Sequence, residues 1–305
     1  MAKSGFKKNF RTGAGGLRAG AGATGGFSSK IREAGGASVW ADSVPVGYWN
    51  FEDGTGITLS DVSSAGNSLD GTLRGTDSGG GEVVATWDST DKVRGSYSLD
   101  FQATSGQLVS VADNSVLDFD PDQSFSVSVW FKRNTTMGND QGSLVSKMSK
   151  TVKAPDPNAF RGYDIYIQNK LLIFLLYEQN TAYLQVRYNV AINDTNWHHL
   201  LVTYGGADSA DPDVLDVTMY LDNSSVVLTE LIDTLETDDI TVSATDFAIG
   251  ARGFGGNTSI GSTSQRWYGN LDEVAVWNKE LSSDEVDDVY NSGAGNDLTD
   301  GIPKS

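Results

Sequence analysis

The chain has 305 residues with 22 Lys and Arg against 40 Asp and Glu, a formal net charge of −18, no cysteine and two histidines. That length supplies a full core for one large all-β domain, while zero cysteines exclude a disulfide framework, a thiolate zinc site and a cysteine nucleophile, and two histidines exclude a His-rich metal centre. Mean hydropathy is −0.29 and the longest apolar run is Leu171–Tyr177, far too short to cross a bilayer as a helix.

The first segment in chain order is a leader. Residues 1–36 carry Lys3, Lys7, Lys8, Arg11, Arg18, Lys30 and Arg32 against Glu33 alone, a net of +6, so the remaining residues hold −24. Ten of these 36 residues are glycine. Large apolar residues are limited to Phe6, Phe10, Leu17, Phe27 and Ile31, too few to offset the entropy of ordering the backbone. Residues 1–45 therefore read as an extended basic arm that gains order on a partner surface, where Lys7, Lys8, Arg11 and Arg18 meet carboxylates or phosphates and Phe6 and Phe10 fill pockets. The opening MAKSGFKKNFRTGAGG has cations with no apolar stretch behind them, unlike a secretory signal, so synthesis in a cytoplasm is expected. An acidic body repels phosphates, which argues against nucleic acid or an anionic membrane as its partner.

The body reads as strand after strand. Phe125–Lys132 alternates Phe125, Val127, Val129 and Phe131 with Ser126, Ser128 and Lys132, leaving Trp130 out of pattern. Tyr163–Gln168, Val217–Asp222 and Leu271–Trp277 alternate similarly, whereas Leu171–Tyr177 and His199–Tyr204 are more continuously apolar, as strands buried on both faces should be. Asp53-Gly54, Asp70-Gly71, Gly205-Gly206 and Asp222-Asn223 suit positive-φ turn positions. Near the end, Ser282 and Glu285 have capping-box spacing for a short helix that Gly293 can stop after Tyr290. Residues 294–305 are set apart as a tail. Many short strands with frequent turns predict an all-β sandwich or jelly roll.

Eight segments then fall in the order of one family: GYWNFEDGTG (47–56), SLDGTL (68–73), GSYSLDF (95–101), FSVSVWFK, WHHLLVTY (197–204), VTMYLDN (217–223), FAIGAR (247–252) and GNLDEVAVWNKELSSDEV (269–286). Over 46–293 the chain resembles the laminin-G-like, concanavalin A-like lectin/glucanase jelly rolls. The resemblance implies two curved antiparallel sheets of roughly a dozen strands, in a fold shared by lectins, adhesion modules, glycoside hydrolases and polysaccharide lyases. Fold alone does not assign function.

Glycosidases of this architecture carry a Glu-x-Asp-x-Glu strand, and the sequence has none. Glu236, Asp238 and Asp239 read as a solvated loop. His198 and His199 are adjacent on a strand and point to opposite faces, so they cannot form one catalytic or metal pair. An enzyme is not expected. The resemblance also implies a Ca²⁺ ion, which needs several oxygens at once. Glu52, Asp53 and Asp272 are the candidates, with Asp70 and Glu273 nearby, because first and last strands are neighbours in this family. The alternative is that these carboxylates cap turns.

A glycan site needs aromatic platforms beside planar hydrogen-bonding groups. Two long segments, Met137–Gly162 and Arg252–Gly269, read as irregular loops that could supply them. Arg252, Asn257 and Arg266 are the candidates, since Trp267 and Tyr268 directly precede a strand and read as core. The expected function is a non-enzymatic component of a virus particle, that of a bacteriophage. Its arm would anchor the chain to capsid or tail proteins in a homo-oligomeric assembly, and its jelly roll would face outward and hold host cell-surface glycans weakly, with avidity from many copies. The alternatives are a free lectin, a glycan-degrading enzyme of the same fold, and a bacterial surface adhesin.

Overall fold

The computed structural model describes residues 43–76, 80–102, 106–134, 141–153, 156–179, 182–206, 213–235, 245–252 and 265–303. These residues belong to one compact unit. The arm candidates Phe6, Lys7, Lys8, Phe10, Arg11 and Arg18 lie outside the described residues, as do Glu236, Asp238, Asp239 and Asn257.

In chain order the strands are β1 Gly47–Trp49, β2 Thr58–Leu59, β3 Gly71–Arg74, β4 Thr86–Asp88, β5 Ser98–Phe101, β6 Leu108–Val111, β7 Ser124–Arg133, β8 Gln141–Lys153 and β9 Asp156–Gln168. They continue as β10 Leu171–Gln179, β11 Ala182–Tyr188, β12 His198–Gly205, β13 Val217–Leu221, β14 Ser224–Ser225, β15 Leu228–Asp233, β16 Phe247–Ile249 and β17 Gly269–Trp277, followed by helix α1, Ser283–Tyr290. Two antiparallel sheets result. One is ordered β14-β13-β12-β7-β17-β5-β4, with β1 also on β17, and the other β15-β11-β10-β9-β8-β16-β6-β3-β2. The strand count exceeds the dozen expected because several strands are only two or three residues long, and because Met137–Gly162 is no irregular loop. Its β8 and β9 pair as a long hairpin, in register from Gln141↔Gln168 to Lys153↔Asp156.

Alternation explains the layering. Phe125, Val127, Val129 and Phe131 of β7 face Tyr163, Ile165 and Ile167 of β9 and Leu172, Phe174 and Leu176 of β10 in the dry core between the sheets. Trp130 breaks the pattern because it points the other way, stacking on Tyr290 of α1 (ring centroids 5.6 Å apart, 10° between planes). Helix α1 starts at the expected capping box of Ser282 and Glu285, but Asn291, at φ 47°, ends it rather than Gly293. An asparagine in the left-handed region serves the same C-cap role.

Leu281, Val286, Val289, Leu298 and Ile302 bury themselves against Tyr48, Leu201, Ala275 and Trp277, so α1 and the residues after it close the outer face of the β7-containing sheet. The outer face of the β9-containing sheet has no such helix among the described residues.

The turn at Asp222 and Asn223 has φ of 49° and 67°, as a tight β13–β14 hairpin requires. Two glycines serve a different end from the one their spacing suggests. Gly71 sits within β3, where a Cβ would come 2.4 Å from Val109 Cγ1, and a Cβ on Gly206 would meet the Pro121 carbonyl at 2.1 Å. Close approach, not positive φ, demands both.

Candidate functional site

On β9, Tyr163, Ile165 and Ile167 enter the core, which turns Asp164 and Tyr166 outward. The same period on β11 sends Leu184 and Val186 inward and places Tyr183, Gln185 and Arg187 on the outer face. Across the sheet, Tyr166 lies opposite Ile173 and Asp164 opposite Leu175, while Tyr177 lies between Gly162 of β9 and Tyr183 of β11. Gly162 also pairs with Met148 of β8, so a position without a side chain separates Met148 from Tyr177.

Two groups line this face. The first is polar. Arg252 Nε donates to Asp164 Oδ2 at 2.5 Å, and the Arg252 Nη2 also reaches that carboxylate. The Arg252 guanidinium carbon stands 4.9 Å from the centre of the Tyr166 ring. Gln185 Nε2 donates to the Tyr166 hydroxyl at 2.8 Å, and Ser143 Oγ donates to Asp164. Burial, and then the charge of Asp164, pushes the Tyr166 hydroxyl up to about 12, so it stays a neutral donor at any physiological pH. The second group is aromatic. Tyr177 and Tyr183 have ring centroids 4.4 Å apart, and Phe160 lies 5.6 Å from Tyr177. All three are half-buried and flank Met148, Ile173 and Leu175. A ledge of three aromatic rings, tilted 36° and 31° from one to the next, beside a network of planar hydrogen-bonding groups can stack a sugar ring and orient its hydroxyls.

The structure places one sequence-derived candidate, Arg252, within this network. Arg266 lies beside it, since Ala251 bridges to Arg266 and Arg252 N–H donates to the Gln265 carbonyl at 3.2 Å. Trp267 is fully buried in the core, as its position before β17 suggests. Sequence reasoning missed Asp164, Tyr166, Tyr177, Tyr183 and Gln185. For all but Tyr177, which lies on the continuously apolar β10, the signal was present as the outward half of two alternating strands, GYDIYIQ and AYLQVRY.

The proposed cation ligands are not brought together. Glu52 accepts backbone N–H groups from Ser96 at 2.8 Å and Tyr97 at 3.1 Å. Asp53 accepts from Ser60 N at 2.9 Å and its Oγ at 2.6 Å, and buried Asp272 accepts from Val93 N at 2.9 Å. Asp70 accepts from Asp61 N, while Asp61 itself takes N–H groups from Tyr48, Ser63 and Leu69. Among the described residues no group of three or more His, Asp or Glu side chains is arranged to hold an ion. Here the carboxylates tie loops together, and the described residues do not gather them round an ion. Chelator is expected to shift the melting temperature by less than about 1 °C, because the described residues bring together no ligand set through which metal binding could add folding energy; a larger drop in a thermal melt with EDTA would contradict this.

The histidines part company as expected. His198 bonds Asp222 at 2.7 Å and Asp194 at 2.9 Å, whereas His199 is fully buried on the opposite face with Nε2 2.8 Å from Ser128 Oγ. An open groove of about 780 Å³ lies elsewhere, lined by Val46, Asn67, Phe119, Asp122, Lys279 and Glu280. Its one aromatic, Phe119, is buried and stacked on Phe125, so it offers no exposed platform.

Residues 102–287 match the sequence profile of a laminin-G-type family described as the concanavalin A-like lectin/glucanases superfamily. The chain belongs to that superfamily. No curated protein sequence matches it, but solved structures share the fold. The binding domain of paraclostridial mosquitocidal protein 1 superposes with a TM-score of 0.53 at 15% identity, over 83% of this chain and 52% of that one. Botulinum neurotoxin type C, whose cell entry depends on interaction with two ganglioside molecules, gives 0.52 at 13%, over 83% and 51%. The chain thus spans about half the length of these toxin domains. Domain 4 of AbnA, an extracellular arabinanase from Geobacillus stearothermophilus solved with arabinotriose, gives 0.50 at 16%, over 83% and 99%. At such identities the likeness establishes the superfamily's sandwich and nothing about ligands.

Proposed function

We propose that this protein is a non-catalytic carbohydrate-binding sandwich whose outer β8–β11 face holds an oligosaccharide. The observation that carries the reading is the ledge of Phe160, Tyr177 and Tyr183 beside the Tyr166, Gln185, Arg252 and Asp164 network. Support comes from the superfamily's lectin membership and from the arabinanase domain, a whole-domain match solved with a bound trisaccharide. Stacking on one ring contributes about 0.5–1.5 kcal/mol beyond area burial. Tyr183→Ala is therefore expected to weaken binding about tenfold, with little change in melting. Titration calorimetry with arabinotriose and a panel of gluco-, galacto- and xylo-oligosaccharides is the test. Silence of the wild-type chain across the panel at millimolar ligand overturns the reading.

A wider reading is favoured by charge. A leader of net +6 precedes a remainder of −24, and such a split suits an arm held by acidic surfaces in a multi-copy assembly, with the sandwich turned outward. In this reading the protein is a phage virion component, anchored to capsid or tail proteins and adhesive through many weak sites. Deleting residues 1–36 is expected to leave a soluble, cooperatively folding body, whose core starts at Val46, and to abolish incorporation into particles. Incorporation of the truncated chain would overturn the anchoring role.

A further inference from the structure

Arg252, the cation of the polar network, is not available as an anion clamp. Asp164 Oδ2 accepts from Arg252 Nε and sits against Nη2, on the edge of the guanidinium that would otherwise grip a ligand carboxylate side by side. Asp164 is itself fully buried on β9, held from its other side by Ser143, so the pair is built into the sheet and not a surface contact that opens at little cost. The flat face of the guanidinium is covered too, by the Tyr166 ring. The pair is neutral in sum, and the residues outside the leader carry −24.

Resting on the glycan-binding reading, we propose that this site selects neutral oligosaccharides and rejects uronate- or sialate-bearing ones, with Asp164 as the positioning residue that sets the choice. A hydroxyl can still accept from the N–H groups of Arg252 that Asp164 does not take, and from Gln185. A ligand carboxylate would lose its hydration and find the guanidinium fork occupied, its charge already balanced by the buried Asp164. A neutral ring meets none of these costs while keeping the stack on Tyr177 and Tyr183.

The test uses the full chain and matched ligands: galactotriose against trigalacturonate, and lactose against 3′-sialyllactose. Neutral members are expected to bind at least about tenfold tighter than their acidic partners at low salt, and the gap should narrow at about 0.5 M NaCl, where charges further apart than several ångströms are screened. Asp164→Asn keeps the shape of the side chain but removes its charge, which leaves the guanidinium uncompensated. It is expected to raise affinity for the acidic members at least about fivefold relative to the neutral ones. A role of Asp164 in folding alone would lower both classes together. Acidic ligands binding as tightly as neutral ones to the wild-type chain would overturn the proposal and leave the glycan reading standing. No binding of either class would remove the reading on which it rests. Should Asp164→Asn fail to fold, Arg252→Gln decides the matter: leaving Asp164 unneutralised, it must widen the neutral preference, and a narrowed one refutes the mechanism.

Discussion

Replacing Lys147 with alanine is expected to cost about 4–5 kcal/mol of folding stability, more than any substitution at the surface. Lys147 points from β8 into the body and its side chain is fully buried. Its ammonium is met by Asp113 at 2.7 Å, Asp118 at 3.1 Å and the Thr245 carbonyl at 2.8 Å. Breaking a buried pair by removing one partner costs about 3–5 kcal/mol, because the remaining charge is left uncompensated. Asp113 and Asp118 keep 33% and 26% exposure, and solvent screening brings this part to about 2–3 kcal/mol. Loss of the aliphatic stem adds about 0.8 kcal/mol per buried methylene.

Lys147→Met separates the two contributions. It keeps the packing and removes the charge, so about 2–3 kcal/mol should remain. Burial already holds the Asp118 carboxyl above its usual range against the pull of Lys147. Without the ammonium it rises further, so the methionine variant should recover stability relative to wild type as pH falls from 7 to 4.5. Urea unfolding midpoints at the two pH values measure this. An alanine variant within 1 kcal/mol, to take about the median for surface pairs, would mean that the cluster is solvated.

The strands legible in the amino-acid sequence are those whose two faces differ. The alternation of Phe125–Lys132 by itself assigns Phe125, Val127, Val129 and Phe131 to the core, and period two alone separates the adjacent histidines. The site is harder to see. A Gly- and Pro-containing stretch such as 137–162 carries turn residues that mimic a loop, and pairing between β8 and β9 is a tertiary decision that local composition does not encode. Asp164, Tyr177, Tyr183 and Gln185 come from three strands and meet only because β9, β10 and β11 are consecutive neighbours. The acidic candidates fail for the opposite reason. Glu52, Asp53 and Asp272 do lie near the paired first and last strands, but Glu52 and Asp53 are taken up by groups of neighbouring loops and Asp272 Oδ2 by the Val93 N–H, and sequence does not reveal that use. Arg252 is reachable because it closes the recognisable segment FAIGAR, though its partner Asp164 is not.

Two buried groups of the β7-containing sheet are expected to tilt stability with pH in opposite directions. His199 is enclosed by Ser128, Trp130 and Tyr290, and burial pulls its imidazole down to about 3. Below pH 6.5 the unfolded chain takes up a proton there that the folded chain refuses. The stability His199 supports is therefore complete above 6.5 and declines by about 1.4 kcal/mol per pH unit as acid is added, down to about pH 3. Glu273, at φ 50° in the bulge of β17, accepts from the Tyr48 hydroxyl and sits 3.5 Å from Arg94, which is also paired with Asp297 at 3.0 Å. Burial outweighs these partners and pushes its carboxyl up to about 7, and neighbouring Asp272 is raised too. Between about 4.5 and 7 the folded chain keeps a proton at Glu273 that the unfolded chain releases, so stability falls as pH rises through that window, by roughly 3 kcal/mol in all. Difference curves isolate each group. His199→Phe minus wild type should be level above pH 6.5 and climb in the variant's favour on acidification. Glu273→Gln minus wild type should be level below 4.5, climb from there to 7 and then stay constant. Urea unfolding free energies measured every half unit from pH 3.5 to 8 provide both curves, and a Glu273→Gln curve parallel to wild type across 4.5 to 7 would mean that Arg94 and Tyr48 keep the carboxylate charged after all.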